Sequence, residues 1–295
     1  MRINNNIQYY TQPISNRTSF TSLFRLSSCK DSFGVERSTQ NSTSSRDDLN
    51  YDELAQIAKN RFKEYEKINI MPMNGSDGTE SYCIANSILK TFGESDAEKR
   101  IFPIIVSDID TDIIENYGEK GIVALGEKDE NLFGKNLSKY FDSINLSELP
   151  DIARYPKDAK AYKLKPKFRE NFKFEVMDFM NRLKTTKDEG NSIILIRNCL
   201  AQSYTSWERS LLLSELDNII HDNSLFVIGG YDRANIPDFV QELETYGFKE
   251  VGKNIFSKNN TVYSKLEEPI IKQKNFFSDF VMKAKKIFRS FVAIK

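Results

Sequence analysis

The stretch Asn69-Ile-Met-Pro-Met-Asn-Gly-Ser-Asp-Gly-Thr-Glu-Ser-Tyr-Cys-Ile-Ala85 begins as an apolar run, passes through a glycine-bearing turn and opens a helix. A chain that turns sharply from strand to helix presents backbone N–H groups, and a helix starting near Thr79 aims the positive end of its dipole at the turn. Gly75 and Gly78 allow a left-handed backbone or the close approach of a ligand. An electron-rich group fits such a turn. A plain strand-to-helix connection reads the same way, because the third glycine of a dinucleotide fingerprint is missing.

The next apolar run, Ile101 to Val106, leads into Ser107-Asp-Ile-Asp110, where a second parallel strand would stop. Ligands of open α/β sheets lie at the carboxyl ends of strands. Asp108 is therefore the candidate to accept hydrogen bonds from both hydroxyls of a ribose. Asp110 is expected to cap the helix that begins near Thr111.

The remaining pattern alternates strand and helix. An amphipathic helix is expected over Asp52 to Lys67 and a crossover helix over Thr79 to Phe92. Phe172 to Met177 alternates into a third strand ending at Asp178-Phe179. Ser192 to Arg197 is a continuous apolar run suited to a central strand buried on both faces. A helix over Ser206 to Ile220 and a strand over Ser224 to Gly229 follow, then a helix over Asp238 to Tyr246. Phe248 to Gly252 and Asn260 to Ser264 are expected to pair antiparallel at the sheet edge. Residues 118–156 read as a polar insertion beside the ligand cleft, with a helix near Asn136 to Phe141. This order predicts an α/β fold with a doubly wound, mostly parallel, seven-stranded sheet.

Three segments are expected: a disordered leader over 1–50, a domain over 51–265, and a basic amphipathic helix over 266–295. Within the last, residues 275–294 put phenylalanines on one face and Lys283, Lys285, Lys286 and Arg289 opposite, a pattern suited to an anionic membrane surface or to packing on the domain. Lys plus Arg and Asp plus Glu each total 42, so no global basic field points to nucleic acid, and none is expected as a partner. His221 is the single histidine and there are three cysteines. Histidine-based metal sites and Ser-His-Asp or Cys-His catalysis are thereby removed, and no metal is expected. No Sec signal or membrane-length apolar run is present, and a monomer is expected.

The motifs Gly75-Ser-Asp-Gly-Thr-Glu-Ser-Tyr-Cys-Ile-Ala85, Ser107-Asp-Ile-Asp-Thr-Asp-Ile-Ile-Glu115, Leu137-Ser-Lys-Tyr-Phe141, Lys173-Phe-Glu-Val-Met-Asp-Phe179, Arg197-Asn-Cys-Leu200 and Ser224-Leu-Phe-Val-Ile-Gly229 stand in this order. Together they resemble the chemotaxis receptor methyltransferases of CheR type, which transfer a methyl group from S-adenosylmethionine to glutamate side chains. The resemblance implies a class I methyltransferase fold, S-adenosylmethionine as cofactor and a protein acceptor. It implies that Gly75, Gly78, Glu80 and Asp108 bind the cofactor, Glu80 near the methionine end and Asp108 on the ribose. Asp178 and Phe179 match the pair beside the adenine, and Arg197 and Asn198 match the Arg-Asn facing the cleft.

For the reaction, Arg197 is expected to pair with an acceptor carboxylate and Asn198 to orient it, with Gln202 or Tyr204 lining the acceptor channel. An ionised carboxylate acceptor needs no general base, which suits a chain with one histidine. Departures fall on the substrate side. The family's Thr-x-Phe-Phe-Arg stretch is absent, with Asn60-Arg61-Phe62 a remnant, and its aromatic after Arg-Asn is replaced by Ala201-Gln202-Ser203. Gly230-Tyr231-Asp232 stands for its His-Ser-Glu. These departures leave open a second reading, a catalytically degenerate member serving as a binding or membrane-docking module. The Ser/Thr/Asn-rich leader resembles the uncleaved signals of type III secreted bacterial effectors, so the expected location is the bacterial cytoplasm or a host cell.

Overall fold

The computed structural model describes residues 48–64, 66–150, 158–186, 191–220 and 223–258. The leader up to residue 47, His221, the Asn260 to Ser264 run and the basic segment 275–294 lie outside these residues. The described fold begins at Asp48, ahead of the expected boundary at 51, and Leu49 is buried in the core. Asn50 then caps helix α1 (Tyr51–Arg61), its Oδ1 accepting the N–H groups of Asp52 and Glu53 at 3.1 Å each. The helix stops at Arg61 rather than Lys67 because Phe62 turns extended, and its ring is buried.

Strand β1 (Ile68–Met73) enters the glycine turn and α2 (Thr79–Phe92) leaves it, both as expected. Helix α3 (Glu94–Arg100) was not legible, and it takes the residues before β2 (Ile104–Asp108). Ile101 closes α3 by donating its N–H to Ala97 O at 2.9 Å, and Pro103 has no N–H to offer. Strand pairing therefore begins at Ile104, whose N–H reaches Asn171 O at 2.8 Å. Asp110 caps α4 (Thr111–Ile113), as read from the sequence, and the chain continues as a π-helical turn, Ile114–Gly118.

The insertion is more ordered than its polarity suggests. Strand β3 (Ile122–Leu125), helices α5 (Glu127–Phe133) and α6 (Leu137–Tyr140), and strands β4 (Phe141–Ile144) and β5 (Lys160–Leu164) form it. Its three strands make a separate antiparallel sheet in the order β3-β5-β4. Phe141 opens a strand instead of ending a helix. Four- and five-residue strands are too short for alternation to stand out. An aromatic cluster fixes the insertion to α2: Tyr82 meets Phe141 edge-on at 6.1 Å, and Phe141 in turn meets Phe133 at 4.9 Å.

After α7 (Pro166–Arg169) come β6 (Phe172–Val176), α8 (Phe179–Thr185), β7 (Asn191–Ile196), α9 (Leu200–Ser203), α10 (Ser206–Ile219), β8 (Leu225–Ile228), α11 (Gly230–Asn235), α12 (Phe239–Thr245), β9 (Phe248–Gly252) and β10 (Ile255–Lys258). The seven-stranded sheet runs β6-β2-β1-β7-β8-β10-β9, parallel from β6 to β8, with β10 antiparallel to both neighbours. The partner of β9 is thus Ile255–Lys258, not Asn260 to Ser264. Asn254, in the left-handed region at φ 62°, turns the chain two residues after Gly252.

Strand β7 explains its own sequence. Ile193 and Leu195 join the core shared with α1 and α2, while Ile194 and Ile196 join the core under α8 and α10. Every residue of the run therefore faces apolar side chains, each buried isoleucine or leucine contributing roughly 1.5–3 kcal/mol. The pairing of β1 with β7, from Ile68 opposite Asn191 to Met73 opposite Ile196, brings their carboxyl ends level.

The glycine turn is pressed onto β2. Gly75 donates its N–H to Ser107 O at 2.9 Å, and a Cβ there would stand 2.4 Å from Val106 Cγ1. Gly75→Ala is therefore expected to lower stability by about 1–3 kcal/mol in urea unfolding. An unchanged midpoint would show that the turn can move off the strand.

Candidate functional site

Three segments meet at the carboxyl ends of the central strands: the turn after β1, the end of β2 and the loop after β7. Asn74, Ser76 and Gly78 have φ of 54°, 49° and 87°, so the turn coils tightly. At Gly78 a Cβ would stand 2.8 Å from the Tyr82 hydroxyl, in addition to the cost of its left-handed backbone. Asp77, which sequence reading passed over, supplies the cap that Gly78 lacks: its Oδ1 accepts the Thr79 N–H at 3.0 Å. The Asp-Gly-Thr spacing carried that signal.

Asp108 is fully buried. Its Oδ2 accepts the Ser76 N–H at 2.8 Å and its Oδ1 the Asp110 N–H at 3.0 Å. The carboxylate thereby ties the turn to β2, and with the Ile109 N–H as a third backbone donor one lone-pair site remains for a further donor.

Glu80, in the first turn of α2, meets Arg197 at the end of β7. Arg197 Nη1 donates to Glu80 Oε1 and to the Tyr51 hydroxyl, the latter at 2.8 Å, and Nη2 donates to Asp48 Oδ1. The Arg197 side chain is 2% exposed. Burial alone would lower its pKa, but Glu80, Tyr51 and Asp48 outweigh burial and hold it above the ordinary guanidinium value. The expected pairing of Arg197 with an acceptor carboxylate is corrected here, because that pairing is taken up within the chain. Asp48 and Tyr51 were missed because sequence reading put the first in the leader and began the packing helix only at Asp52, after the second.

Asn198 has φ 59°, and its Oδ1 accepts the Tyr231 N–H at 2.8 Å. Gly229 lies so near that a Cβ would stand 2.2 Å from that oxygen. Asp232 is fully buried under the same loop, its Oδ1 accepting the Ala201 N–H at 2.9 Å, and burial raises its carboxyl pKa. Gln202 is exposed on α9. Three expected residues are placed differently. Phe179 and Tyr204 are buried and pack edge-on at 6.5 Å. Asp178 caps α8, accepting from Asn181 N at 3.2 Å and Nδ2 at 2.6 Å.

Buried side-chain atoms without a hydrogen-bond partner collect here: the hydroxyls of Ser76, Thr79 and Ser81, Arg197 Nε, Asn198 Nδ2 and Asp232 Oδ2. Orphaned polar groups of this kind are costly unless something binds them. Hydroxyl groups, an amide donor, Glu80 and the lone pairs of Asp108 suit a ligand with amino-acid and ribose parts. A groove of about 350 Å³ lies at the other end of the sheet, before β2 and β6, where Phe102, Pro103, Tyr140, Phe168 and Asn171 line it. It is remote from these groups, and ligands of such sheets bind at the carboxyl ends.

Residues 40–247 match the family model described as CheR methyltransferase, SAM binding domain. Among solved structures, the chain is similar to WbdD, co-crystallised with a kinase inhibitor, at 11% identity and TM-score 0.40, covering 73% of this chain and 42% of that one. It is also similar to the ribosomal protein L11 methylase of Lactobacillus delbrueckii subsp. bulgaricus at 12% identity and TM-score 0.33, covering 70% of this chain and 77% of that one. No curated protein matches the chain.

Burial pushes the Asp77 and Asp108 carboxyls up to about 6 against the opposing pull of their backbone N–H bonds. Unfolded, they titrate near 4, so between about pH 4 and pH 6 the folded chain binds more protons. Stability from this source is fully present below about pH 4 and is lost as pH rises through about 6. The wild type is expected to lose stability relative to Asp108→Asn over that window, by on the order of 2 kcal/mol. Urea titrations across the window read this difference, and a wild type that holds or gains stability relative to the variant as pH rises would contradict it.

Proposed function

The chain belongs to the CheR methyltransferase family, and on that premise we propose that it methylates a carboxylate side chain of a protein. The cofactor is S-adenosylmethionine, and the domain is a methyltransferase of class I architecture. The observation that carries the acceptor reading is the state of the acids around the site. Asp48 and Glu80 are held by Arg197, and Asp77, Asp108, Asp110, Asp178 and Asp232 each accept a backbone N–H. Burial keeps the Cys199 thiol protonated by raising its pKa. None of these groups is presented to an acceptor as a general base, which favours an acceptor that is already ionised.

When bound, S-adenosylmethionine supplies an electrophilic methyl group on a sulfonium. On this reading Glu80 accepts hydrogen bonds from the methionine end, and Arg197 is a positioning residue that fixes Glu80. Asp108 accepts from the ribose through its remaining lone-pair site. Gly75 and Gly78 let the turn come close, and Ser76, Thr79 and Ser81 offer hydroxyls. Asn198, through its unpartnered Nδ2, orients the acceptor carboxylate, and Gln202 stands at the rim. The protein's contribution is alignment, since displacement at a methyl carbon by a carboxylate transfers no proton.

The test uses labelled S-adenosylmethionine, with acidic peptides and bacterial or host-cell protein as acceptors. The expected product is a methyl ester, which releases methanol in mild base, and Asp108→Ala should reduce labelling at least tenfold through a loss of roughly 1.5–3 kcal/mol in cofactor binding. Base-stable label would indicate a nitrogen acceptor and overturn the carboxylate reading.

A further inference from the structure

The groove at the amino ends of β2 and β6 lies at the end of the sheet opposite Asp108 and Arg197. Leu89 and Phe102, both only partly buried, make its apolar wall together with Pro103 and with the Tyr140 and Phe168 rings, which stack at 4.1 Å. The lysines at its rim are occupied. Lys139 and Lys167 share Glu94 at 3.0 and 3.5 Å, and Lys165 meets Asp142 at 3.4 Å. The acids Glu98 and Glu170 are not: both are exposed, and neither carboxylate has an ion-pair or hydrogen-bond partner among the described residues. The groove therefore offers an apolar wall and two unpaired carboxylates. An occupant that fits has an apolar face with cations beside it.

Residues 275–294, outside the described residues, carry that pattern. Phe277, Phe280, Ala284, Ile287, Phe288 and Phe291 recur at helical spacing, with Lys283, Lys285, Lys286 and Arg289 at the other positions of the turns. The chain leaves the sheet at the matching end. Strand β10 runs antiparallel to β8, with Ser257 opposite Leu225, so Lys258 stands at the amino ends of the parallel strands, where the groove is. From β10 the sheet passes through β8, β7 and β1 to β2, a distance of about 19 Å at the usual strand spacing. Residues 259–274, at about 3.3 Å each when extended, reach much farther than that.

We propose that residues 275–294 dock in this groove of their own chain, with phenylalanines against Leu89, Phe102 and Pro103 and lysines beside Glu98 and Glu170. Apolar contact supplies most of the attraction, and the exposed carboxylates, which contribute little energy by themselves, set which way the segment lies. Because the segment is tethered, a modest intrinsic affinity is enough to keep it bound. Docking covers the phenylalanines that a membrane would otherwise take up, and it leaves the carboxyl ends of the strands open.

Carbodiimide cross-linking of the full chain, which joins a carboxylate directly to a lysine in contact with it, tests this when read by peptide mass spectrometry. Lys139 and Glu94 should link and serve as the control. A link from Glu98 or Glu170 to Lys283, Lys285 or Lys286 is expected in addition, and the control link without it overturns the proposal. Mixing isotope-labelled with unlabelled protein shows whose segment is bound. Links within one isotope are expected; a link between a labelled and an unlabelled peptide assigns the groove to a second copy and overturns docking within the chain. A full-length variant carrying Glu98→Lys and Glu170→Lys tests the membrane as a competing destination, since its groove repels the segment. With vesicles of phosphatidylserine and phosphatidylcholine, the variant is expected to bind about tenfold more tightly than the wild type. Equal sedimentation of the two, at any level, shows that these carboxylates do not hold the segment and overturns the proposal.

Discussion

A buried guanidinium needs its charge paired, and that requirement organises the cofactor end of this protein. Leaving one such charge unpaired costs several kcal/mol. Arg197 draws its partners from the segment ahead of α1, from α1 itself and from the first turn of α2. These elements lie far apart in sequence, and one side chain at the end of β7 holds them together. The level ends of β1 and β7 make this possible, because Glu80 leaves the turn after one strand and Arg197 follows the other.

The same requirement explains why the acids at the site are structural as well as functional. Asp108 bridges the glycine turn to β2 through two backbone amides, Asp77 caps α2, and Asp232 holds the loop that carries Asn198 and Gln202. Each keeps a backbone segment in a conformation it would not hold alone. The result is a preorganised end of the sheet, which suits a reaction that depends on alignment more than on proton transfer.

Most of the large sheet was legible in the sequence because buried parallel strands write themselves as apolar runs, as Ser192 to Ile196 does, and turns write themselves in glycine. Asp108 was legible from its place after such a run. The small sheet was not, since Ile122–Leu125 and Phe141–Ile144 are short and set in polar sequence. Asp48 was hidden for a different reason: its partners Arg197, Gly230 and Asn254 are distant in the chain, and nothing local distinguishes it from the polar residues before it. Phe179 was read from family position and Tyr204 from its place after the Arg-Asn pair, and neither signal says which way a ring turns. Packing against each other decided that.

The central claim is that the cofactor lies over the carboxyl ends of β1, β2 and β7. Amide hydrogen exchange with and without S-adenosylmethionine tests it most directly. Slowed exchange is expected at residues 74–80, 108–110 and 197–201. Protection confined instead to the groove around Phe102, Tyr140 and Phe168, or no protection at saturating cofactor, would contradict the account.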